Sequence, residues 1–284
     1  MFTVIVKDKN MQRRALGLPL YFWAAWSLDT AGADFFVMAS DEVYCDLVGL
    51  CPKVKRTDKP QGVIIDEPVL ITATGAENLV KTGKFPAEGC YFVSDTRSLL
   101  IAQREARLDV IYRHAENGVI FMDEQSCTID PRVTIEPGAE ILPNTVILGK
   151  SHIGARAKIG PFAYIRPGCN IGADTKIGDF VEVKNSNVGD GTKFSHLTYV
   201  GDSDIGKNVN FGCGTVTVNY DGKNKYRTTV LDNAFVGCNT NLIAPVTVGE
   251  GAYIAAGSTI TDDVPGGGFA IARSRQTTKE KRHK

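Results

Sequence analysis

A proton acceptor, two cations and a polar loop recur through the C-terminal half of this chain at spacings that a repeating fold would stack. His196 stands in Phe194-Ser195-His196-Leu197-Thr198-Tyr199-Val200-Gly201-Asp202. An imidazole of ordinary pKa, about 6.5, takes up a proton near neutrality. Acyl transfer to an amine needs such a base, because an ammonium has no lone pair with which to attack a thioester. Arg166 in Ile165-Arg166-Pro167-Gly168 and Lys184 after Val183 adjoin inward aliphatic residues, so both project outward. A phosphate approaching that strip meets two cations. Glu182 lies within a coil's length of His196 and is a candidate to orient its imidazole. Residues 218–227 hold two Asn, two Tyr and several cations, a composition suited to a polar ligand. Each residue type also occurs on ordinary solvated surface, and only their common setting singles them out. The remaining histidines, His114, His152 and His283, are dispersed, and neither H-E-x-x-H nor a paired Cys motif is present, so no metal site is expected.

The elements that would position these groups follow from a period of six. Ile129, Ile135, Ile141, Ile147, Ile153, Ile159, Ile165, Ile171, Ile177 and Val183 keep the beat without a slip. After one-residue slips it continues through Val188, Phe194 and Val200, then Ile205, Phe211 and Thr217, and ends as Val230, Val236, Leu242, Val248, Ile254 and Ile260. Glycine directly follows several of these positions, among them Gly154, Gly172, Gly189, Gly212 and Gly237. A hexapeptide period is neither that of a helix nor the alternation of a plain strand. It indicates a solenoid in which one inward aliphatic fills each short strand and three hexads close a triangular coil of about eighteen residues. The gap between Thr217 and Val230 is then an inserted loop.

Composition adds limits. The 284 residues carry 32 Lys+Arg against 32 Asp+Glu, so no general affinity for nucleic acid is implied. Only the tail departs, with Arg273, Arg275, Lys279, Lys281, Arg282 and Lys284 against Glu280. It is either a solvated terminus or an anion contact. Seven scattered cysteines suit reduced thiols, and no signal-like or membrane-spanning apolar run is present, so a soluble cytoplasmic protein is expected. Four parts are expected: a small α/β region over 1–93, a connector helix over 94–117, the solenoid over 118–272 and a basic tail over 273–284. In the first part strands are expected at residues 2–6, 35–38 and 69–72 and a helix at 16–31, which together suggest a fragment of parallel sheet. Ser94 or Asp95 is the expected cap of the connector helix, and Asn117-Gly118 its stop.

The segments Asp179-Phe180-Val181-Glu182-Val183-Lys184, Ser195-His196-Leu197-Thr198-Tyr199-Val200-Gly201-Asp202 and Val218-Asn219-Tyr220-Asp221-Gly222-Lys223-Asn224-Lys225, with Ile165-Arg166-Pro167-Gly168, closely resemble one family. It is the acetyltransferase domain of the bacterial bifunctional enzymes that acetylate glucosamine-1-phosphate and then uridylylate the product. The resemblance runs from about Thr96 through Lys279. It implies a left-handed parallel β-helix assembled as a homotrimer, with acetyl-CoA bound where subunits meet. It further implies that His196 is the catalytic base, that Arg166 and Lys184 hold the sugar phosphate, and that Tyr199, Asn210 and Lys225 contact sugar or phosphate. Asn219 and Tyr220 match a pair lining the reaction site, and Cys213, Cys238, Ala256 and Arg273 match the acetyl-CoA side. Here the chain departs, since the family commonly has Ala at the first of these cysteines and Ser at the second. The N-terminal region departs further. The uridylyltransferase domain opens with a glycine-rich loop that cradles nucleotide phosphates, whereas this chain has no glycine before Gly17. The implied function is glucosamine-1-phosphate N-acetylation without uridylyl transfer. Another amino-sugar acceptor, or a non-catalytic scaffold, are the competing readings.

Overall fold

The computed structural model describes residues 1–6, 11, 13–49, 51 and 53–279. The cationic tail positions Lys281, Arg282 and Lys284, with His283, lie outside the described residues, as does the stretch 7–10 in which the glycine-rich loop is missing. The chain parts into two compact units, Met1–Arg113 and His114–Lys284.

The first unit is built from β1 (Phe2–Ile5), β2 (Arg14–Ala15), β3 (Leu18–Pro19), α1 (Leu20–Thr30), β4 (Phe35–Met38), α2 (Asp41–Val48), β5 (Lys55–Arg56), β6 (Val63–Ile65), β7 (Val69–Ile71), α3 (Ala73–Thr82), β8 (Cys90–Phe92) and α4 (Thr96–Glu116), the last residues of which belong to the second unit. Four strands form a parallel sheet in the order β5-β4-β1-β6. Two details differ from the expectation. The first helix begins at Leu20 rather than residue 16, because β2 and β3 form an antiparallel ribbon turning through Leu16 and Gly17, both at positive φ. Trp23 locks the ribbon by donating from Nε1 to the Ala15 carbonyl at 3.0 Å. The strand β7 pairs antiparallel with β8 instead of joining the parallel sheet. At the start of α4, the Asp95 carboxylate accepts from the Ser98 N–H at 2.7 Å and satisfies an amide that has no partner within the helix.

The second unit is a left-handed parallel β-helix. Its two- to four-residue strands fall in rotation onto three parallel sheets of eight, seven and nine strands, here faces I, II and III. Every ladder residue named above, from Ile129 to Ile260, is buried. Phe194 and Phe211 pack in the core with ring centroids 4.9 Å apart and planes tilted by 43°. Thr217, the one polar rung, is tolerated because its hydroxyl accepts from the Gly201 N–H at 2.8 Å. Early coils are eighteen residues long, as in the pairing of Thr128 with Val146 on face I. Both slips, after Lys184 and after Gly201, fall at the corner between faces I and II, and the inserted loop leaves from the same corner between Val218 and Thr228. One edge of the prism therefore carries all the irregularities.

Candidate active site

His196 ends the face III strand Lys193–His196, directly above Asp179, which ends the strand Lys176–Asp179 one coil below. The shortened coil sets this pairing: the two residues are 17 apart, whereas an eighteen-residue coil would place Gly178 there. His196 Nδ1 and Asp179 Oδ1 are hydrogen-bonded. That bond to the imidazole holds the Asp179 carboxyl below the usual carboxylate range. With the carboxylate as acceptor, Nδ1 carries the proton, and Nε2 is left as the free lone pair of an exposed ring. Glu182 does not do this. It is held on face I by Arg166, whose Nη1 donates to Glu182 Oε1 at 3.0 Å. The expectation of an orienting carboxylate holds, and its identity changes from Glu182 to Asp179.

A second group gathers at the corner between faces I and II. Asp202 is buried, and its carboxylate accepts from Asn185 Nδ2 at 2.6 Å, from Lys184 Nζ at 3.3 Å and from Asn219 Nδ2. Burial pushes the Asp202 carboxyl up, but the three donors outweigh it, and the net shift is downward. Lys225, from the inserted loop, lies beside Lys184, and that ammonium pushes Lys225 below the usual lysine value, with Arg166 adding to the effect. Lys184 is raised by its hydrogen bond and attraction to the Asp202 carboxylate. Three cations crowded in this way gain from a dianion placed among them, which would relieve the like-charge repulsion. Tyr199, on face I between Glu182 and Val216, is close enough for its phenol to act on both Lys184 and Arg166. The loop is tied back by Tyr226 N–H to Asn219 O at 2.9 Å and by Arg227, which forks onto Asp204 at 2.7 and 2.8 Å. Tyr220 is exposed and donates to the Gly222 carbonyl at 2.7 Å.

The remaining sequence-predicted positions form a column rising from His196. Phe211 pairs with Phe194 below and Val236 above, and Val236 pairs with Ile254, so Cys213, Cys238 and Ala256 occupy successive turns over the imidazole. Hydrogen bonds from Asn239 N–H to Cys213 O at 2.8 Å and from Gly257 N–H to Cys238 O at 2.7 Å hold that register. Arg273 lies one residue past that register, beside Gly257, whose added Cβ would be 3.8 Å from its Cδ. The side chains of Cys213, Cys238 and Ala256 are small and Gly212 and Gly237 adjoin them, so the column is a low, partly exposed strip parallel to the helix axis. Asn210 is not part of either group. It faces outward on face III, between Lys193 and Phe235.

With that geometry in hand, similarity to other proteins can be weighed. Residues 150–185 and 227–262 match the bacterial transferase hexapeptide (six repeats). The bifunctional protein GlmU of Brevibacillus brevis is 60% identical over 116 residues, which is 41% of this chain and 25% of the relative. The chain is GlmU-like over this stretch. GlmU of Acetivibrio thermocellus is 63% identical over 117 residues, again 41% of this chain and 25% of the relative. This chain thus matches about a quarter of the length of these GlmU proteins. Among solved structures, the Arabidopsis UDP-N-acetylglucosamine acyltransferase aligns with a TM-score of 0.44 at 16% identity, over 55% of this chain and 68% of that one.

Two residues that sequence reasoning did not single out belong with the site. Asp179 could have been found by counting 17 rather than 18 residues back from His196 across the slip. Asp202 ends the motif around His196, but its role depends on three partners 17 or 18 residues away, on neighbouring coils, or one residue past such a step. No local spacing announces it.

Proposed function

We propose that this chain is an acetyl-CoA-dependent N-acetyltransferase whose acceptor is an amino-sugar phosphate, glucosamine-1-phosphate, with His196 as general base. The observation that carries the reading is the Asp179–His196 pair, which leaves a free Nε2 at the foot of the small-residue strip. In this reading Nε2 takes the proton from the 2-amino group as nitrogen attacks the thioester carbonyl. The tetrahedral intermediate then collapses, the C–S bond breaks, and the imidazolium returns the proton to the leaving thiolate. Asp179 keeps Nδ1 protonated and stabilises the imidazolium while it exists. Arg166, Lys184 and Lys225 receive the phosphate, and Tyr199 and Asn219 line the sugar. Acetyl-CoA lies along Cys213, Cys238 and Ala256, with Arg273 toward its phosphates. Four turns at about 4.8 Å each give a strip long enough for an extended pantetheine arm.

Within one chain the phosphate group and the His196 column occupy different corners, at opposite ends of the face I strands, and Asn210 stands on another face. This supports a homotrimer in which a neighbouring copy completes the site. Beside the pair, Phe162, Phe180 and Leu197 form an exposed apolar stripe, with the two phenyl rings stacked at 5.2 Å. All three have positive φ, a costly conformation for bulky residues that a packed neighbour would reward. We assign no uridylyl transfer to the first unit, and we read its four-stranded sheet as serving structure or assembly in a cytoplasmic enzyme. The test is release of free CoA with glucosamine-1-phosphate, beside a panel of other amino-sugar phosphates and UTP. Unchanged turnover in His196→Ala removes the base. An inert parent sinks the assignment, and a UTP-dependent product refutes the loss of the second activity.

A further inference from the structure

We infer that Cys213 and Cys238 form a reversible dithiol site, which a low-molecular-weight disulfide oxidises to an intrachain cross-link lying across the strip above His196. The two residues hold the same register on adjacent coils, as the pairing of Phe211 with Val236 and the bond from Asn239 N–H to Cys213 O show. Aligned residues on neighbouring parallel strands stand about 4.8 Å apart, inside the range of roughly 4.4–6.8 Å between Cα atoms that a disulfide spans. The coils approach closely at this point: a Cβ on Gly212 would come within 2.5 Å of the Cys238 nitrogen. Gly212, Gly214 and Gly237 flank the pair. Both thiols are open to reagents, Cys213 half-buried and Cys238 exposed, whereas Cys127 and Cys169 in the same unit are buried.

Oxidation proceeds in two exchanges. One cysteine thiolate attacks the small disulfide, forming a mixed disulfide and releasing one thiol. The second cysteine then attacks the protein sulfur of that adduct, closes the Cys213–Cys238 bond and releases the second thiol. Two cysteine thiols are oxidised and one small disulfide is reduced to two thiols. Side chains on aligned parallel strands point the same way, so the Cβ atoms must close by about 1 Å from the strand spacing. The resulting strain makes the bond easy to reduce, the property of a labile disulfide rather than a structural one. The cross-link stands on geometry alone. Its effect on turnover rests on the acetyl-transfer reading, because the joined sulfurs would occupy the strip assigned to the thioester arm.

The experiment treats the full chain with oxidised glutathione, digests it with trypsin without reduction, and measures acetyl transfer in parallel. The expected product joins residues 208–223 to residues 228–273, two hydrogens lighter than the separate peptides, and reverts with dithiothreitol. Acetyl transfer by the oxidised parent falls at least tenfold and recovers on reduction. Cys213→Ala and Cys238→Ser each give no joined peptide and carry only a glutathione adduct on the remaining cysteine, and Cys45→Ser stays as sensitive as the parent. Glutathione adducts on the two cysteines with no joined peptide overturn the dithiol site. A joined peptide with undiminished turnover overturns the blockade. If the parent acetylates nothing, the functional reading fails by itself, and the peptide masses still decide whether the cross-link forms.

Discussion

With Nδ1 bonded to Asp179, the His196 ring is fixed in the tautomer that presents Nε2 to an acceptor. Asp179→Asn keeps the shape but supplies a donor where a carboxylate stood. We expect kcat to fall by roughly 10²–10⁴, with KM nearly unchanged, in steady-state assays at neutral pH. A fall in KM alone would show that Asp179 does not act through the base. The Asp179 carboxyl is held below its ordinary value by the bond to His196, so it contributes no break to the neutral pH–rate profile. Asp202 makes a different, mainly structural contribution. Asp202→Ala leaves Lys184, Asn185 and Asn219 without their common acceptor and should cost about 2–4 kcal/mol in urea unfolding at pH 7. The folded Asp202 value lies below the unfolded one, so this contribution is complete above the ordinary carboxylate pKa of about 3.9. It is lost as pH falls through the folded value, and the gap between parent and variant should narrow in acid.

The coil is the element that converts spacing into contact. Its aliphatic ladder could be read from the chain because a six-residue period survives in the residue types themselves, and each ladder position is buried. The slips could also be read, and so could the loop between Thr217 and Val230. What the pattern did not convey is which outward residues meet across coils. Glu182 looked suitable beside His196, but it lies on face I with Arg166, and one missing residue at the I–II corner brings Asp179 rather than Gly178 beneath the imidazole. In the first unit, the apolar spacing from residue 16 continued into a helix only from Leu20, since the ribbon at Arg14–Ala15 and Leu18–Pro19 is held by contacts distant in sequence. The same coil geometry makes Gly178 irreplaceable. A Cβ there would overlap the Ser195 carbonyl, in the strand that carries His196. Gly178→Ala should lower the melting temperature and acetyl transfer together, whereas Gly222→Ala, with nothing within 4 Å of the added carbon, should change the melting temperature much less despite its positive φ.

For the whole molecule, the separation of the cations from the His196 column implies that the proposed acetyl transfer is a property of an assembly. Sedimentation equilibrium should give three times the chain mass. Phe180→Glu, which places a charge in the exposed stripe, should shift that mass toward the monomer and remove acetyl transfer in parallel. A variant that is monomeric and fully active would refute the shared site. The position of the site along the axis has another consequence. Arg166, Glu182, Tyr199 and Val216 lie on or beside the third to sixth of the eight strands of face I, with coils stacked on both sides. A solenoid contacts only its nearest neighbours, so it loosens by peeling from its ends. Amide hydrogens at Ile129 and Ile260 should therefore trade for deuterium sooner than those at Val183 and Val200. Heat would strip the outer coils before it disturbed the rungs on which a proton has to move.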